Sequence, residues 1–296
     1  MHRYSAPVQA GLTGKGHRMK FVIATSDGLE HTYVTNVLAE ALGVDLAAVI
    51  VERPARLGLT YSRLRKIRTR YSALRVAERV TTKLVRRLLR QRHRTDEALR
   101  RILGDAPLTL PAACAVLETL SINAKALTER IESIAPDVLL VFGTSVARAR
   151  LLGAARQLAL NLHTGISPFY RGSDTVFWPL YNGEPGMVGA TVHQCTADLD
   201  GGMIYATIRV RLDPSDSVES AFAKSVREGA AAYADIARRL ASAQGLDGHR
   251  QDLAAGQEYR FRDLTFVQEL MMEWRLRTGV LSRAIAREQS DVAARP

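Results

Sequence analysis

Near the start of the chain, a short apolar block and a longer block of helical periodicity follow one another. Residues 20–25, KFVIAT, are apolar and β-rich, which predicts a buried strand. Residues 26–42 have a helical pattern, with Ser26 or Thr32 as a candidate cap. Residues 46–52, LAAVIVE, predict a second buried strand. Strand, helix and strand in this order are typical of a parallel sheet, so the pattern predicts an α/β fold.

The same two patterns continue over the second half of the chain. The predicted strands are residues 137–143, 158–163, 189–197 and 202–212, and the predicted helices are residues 127–137, 145–155, 175–183, 217–243 and 263–287. We therefore expect a mostly parallel sheet up to about residue 212. Residues 213–296 are expected to form a helical C-terminal region.

Residues 53–101 interrupt this scheme with a strongly basic segment. They contain 17 Lys and Arg residues against 3 acidic residues, whereas the whole chain carries a net charge of +11. Their apolar residues recur in steps of three and four, which predicts one or two basic amphipathic helices inserted into the α/β fold. A solvated helical surface is one interpretation. The others share attraction to an anion: the phosphates or carboxylates of a small molecule, an anionic membrane surface, or RNA.

Length and composition limit the class of protein. A chain of 296 residues with 47% hydrophobic residues can bury a large core. No apolar run is long enough to span a bilayer, and residues 1–18 lack the apolar centre of a signal peptide, so we expect a cytoplasmic protein. Residues 1–18 are expected to be a flexible tail, with either Met1 or Met19 as the start. The two cysteines, Cys114 and Cys195, are too few for a disulfide framework or a cysteine-rich zinc site.

Candidate chemistry is concentrated where a predicted strand ends. Asn161 and His163 are two positions apart, so they share one face of that strand, at the edge where open α/β sheets place ligands. The later turn DLDGG supplies Asp200, and if the two strands are neighbours Asp200 can meet His163. Amide, imidazole and carboxylate together suit acyl transfer, with an oxyanion donor, a proton carrier and an orienting charge. The loop has no cysteine and the chain has no G-x-S-x-G motif, so direct attack by the substrate is favoured over an acyl-enzyme.

Three motifs in order give the chain a family resemblance. The segments NLHTGISPFYRG, GATVH and DLDGGMI resemble the formyltransferases that use 10-formyltetrahydrofolate, among them glycinamide ribonucleotide, methionyl-tRNA and sugar N-formyltransferases. The resemblance runs from about Met19 to Leu212, apart from the basic segment. It implies a Rossmann-like catalytic domain at residues 19–212, a folate co-substrate and no metal. With these substrates, the small-molecule anion at the basic segment would be the phosphates of the acceptor or the polyglutamate tail of the folate.

The resemblance also implies roles for individual residues. It makes Asn161, His163 and Asp200 catalytic. It assigns binding of the pterin donor to two segments, one after a central strand and one in the loop before the aspartate. These residues are Phe142, Gly143, Thr144, Ala197, Asp198 and Leu199. The loop after the histidine reads Thr-Gly-Ile-Ser-Pro instead of the Ser-Leu-Leu-Pro often found in the tRNA and purine enzymes, which leaves the acceptor open.

We expect the acceptor to be a small-molecule amine, and we favour an amino sugar, with phosphorylated and nucleotide-linked forms both open. A methionyl-tRNA formyltransferase-like role is one alternative, but the tRNA enzymes append a small β-barrel and residues 213–296 read as helical. A non-catalytic RNA- or membrane-binding protein is another, although a pure binder has no need of the three polar residues together. We expect no stable nucleic-acid partner.

Other polar and aromatic residues near the motifs are interpreted structurally. His193 lies in the middle of a predicted strand and is taken as a core or supporting residue. Phe177, Trp178 and Tyr181 are taken as packing residues, and Asp174 as a helix cap or surface group.

Overall fold

The computed structural model of the chain describes residues 18–53, 73–196 and 198–293. Three predicted features fall wholly or partly outside these ranges. They are the N-terminal tail, residues 54–72 of the basic segment, and Ala197.

A seven-stranded sheet forms the centre of the described structure. The described strands, in this sheet and in a separate small one formed by β6 and β9, are β1 (Phe21–Ser26), β2 (Leu46–Glu52), β3 (Ala115–Thr119), β4 (Val138–Phe142), β5 (Leu158–His163), β6 (Tyr170–Gly172), β7 (Gly189–Gln194), β8 (Ile204–Arg209) and β9 (Gln257–Tyr259). The order in the large sheet is β3-β2-β1-β4-β5-β7-β8. The first five strands pair in parallel, and β7 runs antiparallel to both β5 and β8. The predicted α/β class with a mostly parallel sheet is confirmed.

Helices connect the strands and cover the sheet. They are α1 (Leu29–Leu42), α2 (Ala73–Leu88), α3 (Gln91–Leu103), α4 (Lys125–Ile134), α5 (Ala149–Leu152), α6 (Phe177–Asn182), α7 (Val218–Ala241), α8 (Phe266–Arg277) and α9 (Val280–Ala293). The longest, α7, begins at a capping box in which Ser217 and Ser220 satisfy each other's backbone N–H groups.

Alternation along the parallel strands feeds a hydrophobic core on each face of the sheet. In β1, Phe21 and Ile23 point to the face covered by α1 and α7, whereas Val22 and Ala24 point to the face covered by α4 and α5. All four side chains are buried. A strand buried on both faces reads as a continuous apolar run, which is why its sequence predicted it clearly.

A third core lies beyond the sheet and joins the loop after β5 to the C-terminal helices. Trp178 stacks on Tyr259 with ring centroids 4.5 Å apart, and Met272 of α8 is buried in the same cluster. Phe177 and Tyr181 also stack, which agrees with their interpretation as packing residues. Strands β6 and β9 pair in parallel beside this cluster.

Several predicted elements differ from the observed ones. The edge strand β3 and the short pair β6 and β9 were not predicted, and the C-terminal region therefore contains a strand as well as helices. The single helix expected at residues 263–287 is two helices, because Gly279 adopts φ 68° between α8 and α9. The basic segment forms α2 and α3 over its described part. Helix α3 packs against α7 and α1, and α2 packs against α8.

Candidate active site

Asn161 and His163 lie at the carboxyl end of β5, on one face, as their spacing predicts. The antiparallel neighbour β7 places His193 opposite Asn161 and Thr191 opposite His163. Nδ2 of Asn161 lies 3.2 Å from Nε2 of His193. His193 is buried and was interpreted only as a core or supporting residue, yet it contacts two of the three predicted catalytic residues. Its place opposite Asn161 on the neighbouring strand identifies His193 as part of the site.

Asp200 joins the two histidines. Its Oδ2 lies 3.5 Å from Nδ1 of His163, and its Oδ1 lies 3.3 Å from Nε2 of His193. The backbone N–H of Gly172 donates to Oδ2 over 2.8 Å. Asp200 is buried and has φ 50°, a backbone conformation that Asp tolerates better than most residues, in a turn completed by Gly201. The structure thus brings Asn161, His163 and Asp200 together.

The surroundings of Asp200 favour its ionised form. Burial opposes ionisation of Asp200, but the charge of His163, the hydrogen bond from His193 and the Gly172 N–H hold its pKa well below the usual range. Nε2 of His163 lies 2.9 Å from the carbonyl oxygen of Tyr170, so both ring nitrogens face oxygen acceptors. The ring of His163 therefore lies between the ionised Asp200 and a backbone carbonyl oxygen.

A cavity of about 330 Å³ opens beside these residues at the ends of β4 and β5. Asn161, His163 and Asp200 all line it. So do five of the six residues expected to bind the donor: Phe142, Gly143, Thr144, Asp198 and Leu199. The sixth, Ala197, lies outside the described residues. The two predicted donor segments therefore line one cavity.

Two buried side chains, those of His31 and Glu52, fix the backbone segment that follows β4. Gly143 has φ 61°, and a Cβ there would lie 2.4 Å from Cε1 of His31, so a larger residue would collide with the imidazole. Glu52, at the end of β2, accepts hydrogen bonds from the backbone N–H and the hydroxyl of Ser145, each over 2.7 Å. It also accepts from the N–H of Ile122 over 2.9 Å. Sequence reasoning missed both His31 and Glu52.

One cysteine lines the cavity, but its thiol is held in the protonated form. Burial, with a further contribution from the Asp200 charge, raises the pKa of Cys195 to about 12. A thiol is not a nucleophile until it is deprotonated. This agrees with the expectation that the substrate amine attacks directly.

A second cavity, of about 980 Å³, adjoins the first. The two share Thr164, which follows His163, and Gly172, which binds Asp200. Asp174 lines the larger cavity, where its carboxylate lies 3.6 Å from the guanidinium of Arg86. The helix α6 takes no cap from a side chain, so Asp174 is not the helix cap considered from the sequence.

Among the described residues, no group of three or more His, Cys, Asp or Glu side chains is arranged to hold a metal ion. No described helix is long and apolar enough to cross a membrane.

Comparisons with known proteins agree with the motifs. The sequence model of a family described as Formyl transferase matches residues 19–236. A 4-N formyltransferase from Francisella tularensis has a similar structure, with a TM-score of 0.51, 12% identity, and coverage of 83% of this chain and 78% of that one. A sugar N-formyltransferase from a Shewanella species gives a TM-score of 0.51 at 13% identity, covering 83% and 78% of the two chains.

A third similar structure was determined with ligands. It is WlaRD, described as a sugar 3N-formyl transferase in the presence of dTDP and 5-N-formyl-THF. Its TM-score is 0.51 at 14% identity, with coverage of 84% of this chain and 72% of that one. At these identities the three structures establish a shared fold.

Proposed function

This chain belongs to the formyl transferase family, and we propose that it transfers a formyl group from 10-formyltetrahydrofolate to the primary amine of an amino sugar. The observation that carries the proposal is the meeting of Asn161, His163 and Asp200 on the wall of one cavity at the carboxyl end of the sheet. The donor and the acceptor class are supported by the ligands and names of the similar structures.

The smaller cavity is the proposed donor site. Its volume of about 330 Å³ is in the range of pockets that hold small molecules. The backbone from Phe142 to Ser145 runs along it, and Glu52 and His31 hold that backbone in place. Asp198 and Leu199 also line it. Peptide N–H and C=O groups along both segments could bind the polar ring of a folate, while Phe142 and Leu199 supply apolar contact.

Asn161 and His163 stabilise charge at the reacting carbonyl in this proposal. The neutral acceptor amine attacks the formyl carbon, and negative charge develops on the formyl oxygen. The amide of Asn161 and the imidazolium of His163 are the groups placed to stabilise that charge. Nδ2 of Asn161 lies 3.2 Å from Nε2 of His193, so the ring limits how far the amide can move when the charge appears.

Proton transfer completes the exchange. The new carbon–nitrogen bond to the acceptor forms, the bond between the formyl carbon and the folate nitrogen breaks, and its electron pair stays on that nitrogen. His163 relays the proton lost by the amine to the folate nitrogen. Asp200 keeps the imidazole oriented and stabilises its positive charge.

The proposal is tested by donor binding and by turnover. Calorimetry with 5-formyltetrahydrofolate, a stable donor analogue, should give saturable binding in the micromolar range. Tetrahydrofolate release should depend on an amine when a panel of free, phosphorylated and nucleotide-linked amino sugars is supplied. The variant His163→Ala should abolish release, whereas His249→Ala, at an exposed site outside both cavities, should not. Folded protein that binds no reduced folate would refute the proposal.

A further inference from the structure

Among the described residues, the larger cavity carries a group of cations that have no carboxylate partner. Lys83 and Arg87 of α2, Arg90 between the helices, and Arg92 of α3 line one side of it, and we call these four residues the cation wall. None of them forms an ion pair within the part of the chain that the structure describes. Like charges brought together without partners repel one another, so a cavity lined in this way favours an anionic ligand.

Two other arginines in the same cavity are already paired and act structurally. Nε of Arg86 donates to the buried Glu269 of α8 over 2.5 Å. Arg94 lies 3.2 Å from Glu219 of α7 and 2.8 Å from Glu273 of α8. These contacts attach the basic helices to the body of the protein. The basic segment therefore has two populations of cations, one that holds the helices in place and one that faces the cavity.

Apolar side chains form another part of the lining, beside four carboxylates, Asp174, Glu219, Glu269 and Glu273, that pair with Arg86 and Arg94. The apolar residues are Leu89, Val176, Phe177, Val218, Phe222, Leu264, Met272 and Leu276. Phe177, Leu264 and Met272 are buried in the third core, so this surface is fixed by packing. A ligand that fills the cavity needs an apolar or planar part in addition to its anionic group.

From these observations we propose that the larger cavity is the acceptor site, and that the cation wall binds the phosphates of a nucleotide-linked acceptor. The proposal rests on the proposed function, because the amine of this acceptor is the group that would receive the formyl. The volume of about 980 Å³ exceeds what a free amino sugar needs and suits a sugar joined to a nucleoside diphosphate. The shared residues Thr164 and Gly172 place the end of such a ligand next to His163 and Asp200.

The test uses nucleoside diphosphates as probes and a double variant of the cation wall. Arg87→Ala is combined with Arg90→Asn, because Arg90 has φ 51°, where Asn is better tolerated than Ala. The matched control, Arg101→Ala with Arg130→Ala, removes one exposed arginine from α3 and one from α4, neither of which lines the cavity. Both proteins are compared with wild type by calorimetry with UDP and dTDP, and their melting temperatures are measured as a check on folding.

Wild type and control should bind at least one diphosphate with similar Kd. The cation-wall variant should bind it at least about tenfold more weakly, because each lost contact is a hydrogen bond between charged groups. The salt dependence of its Kd should also be shallower. Lys83→Ala, at a separate exposed position on the same wall, should reproduce part of the loss.

Several outcomes would overturn the inference. They are no binding of any diphosphate by wild type, equal loss in variant and control, and sensitivity of the variant only toward phosphatidylglycerol vesicles, tRNA or polyglutamylated 5-formyltetrahydrofolate. Binding of monoglutamyl 5-formyltetrahydrofolate separates this inference from the proposed function. If wild type binds diphosphates through Arg87 and Arg90 but binds no folate, formyl transfer fails and the phosphate site stands. If it binds folate but no diphosphate, the proposed formyl transfer stands and the phosphate site fails.

Discussion

Asn161 and His193 face each other across the antiparallel strands β5 and β7, with Nδ2 of one 3.2 Å from Nε2 of the other. The same Nε2 lies 3.3 Å from Oδ1 of Asp200. One buried imidazole therefore contacts both the amide and the carboxylate of the proposed catalytic group. We therefore interpret His193 as a residue that orients both Asn161 and Asp200.

Replacing His193 by Ala should lower kcat and leave the Kd for 5-formyltetrahydrofolate nearly unchanged. Without the ring, the Asn161 amide and the Asp200 carboxylate lose a partner that orients them. We expect a loss smaller than the roughly 10² to 10³ that removal of an oxyanion donor costs. His193→Gln, which keeps a hydrogen-bonding group near the Nε2 position, should recover part of it. Steady-state kinetics at saturating donor measure the effect, and wild-type kcat in His193→Ala would exclude the positioning role.

Asn161→Ala and Asp200→Asn should each slow turnover by about 10² to 10³ without unfolding the protein. The first change removes a donor to the formyl oxygen. The second keeps the shape of the side chain and removes the charge that holds His163. Initial rates of tetrahydrofolate release, together with melting temperatures, test both. Near wild-type turnover in either variant would contradict the role assigned to that residue.

Glu52→Ala should destabilise the fold and weaken donor binding together. Glu52 is 2% exposed and accepts three hydrogen bonds, two of them from Ser145 beside the donor cavity. Leaving these buried donors unpaired should cost roughly 2–4 kcal/mol of the free energy of unfolding. Glu118→Ala, which breaks an exposed contact with Arg53, is the control and should cost less than about 1 kcal/mol. Urea unfolding and calorimetry with 5-formyltetrahydrofolate measure the two effects, and equal stability of both variants would refute the prediction.

The free energy of unfolding should decrease in mild acid because of His31. Burial lowers the pKa of its imidazole from 6.5 to about 4, since the charged ring is costly between Thr25 and Phe142. At a pH between these two values, the unfolded chain binds a proton at His31 that the folded protein does not bind. The stabilisation is complete above about pH 6.5 and is lost as the pH falls toward 4.

The loss should be on the order of 3 kcal/mol over that interval. Other acidic groups contribute to acid unfolding, so the comparison is between wild type and His31→Gln at each pH. The difference in unfolding free energy between them should shift in favour of the variant as the pH falls from 7 to 4.5. Parallel curves would show that His31 does not titrate in this way.

The strands at the centre of the fold were predictable because they are buried on both faces. Runs such as that of β1 are continuously apolar, and few other local structures tolerate such a sequence. The edge strand β3 was missed because most of its side chains are exposed and its sequence, AVLET, has no clear period. Strands β6 and β9, of three residues each, carry too little pattern to be recognised.

In the proposed site, the residues that were predictable are those that lie within a few positions of one another in the sequence. Asn161 and His163 are two positions apart, and strand alternation alone puts them on one face. The part played by His193 depends on the register between β5 and β7, which no local pattern contains. The second cavity depends on how α2 packs against α8 and how α3 packs against α7, and packing between distant elements is likewise absent from a local reading.

Thr164 and Gly172, the residues shared by the two cavities, also bear on the order of events. If donor and acceptor enter from separate sides, both can be present before any bond changes, so plots of reciprocal velocity should intersect instead of running parallel as in a ping-pong reaction. A single inhibitor that joined a folate analogue to a nucleotide sugar would have to thread its linker between these two residues. The distance between the two cavities across these residues would then set the length of the linker.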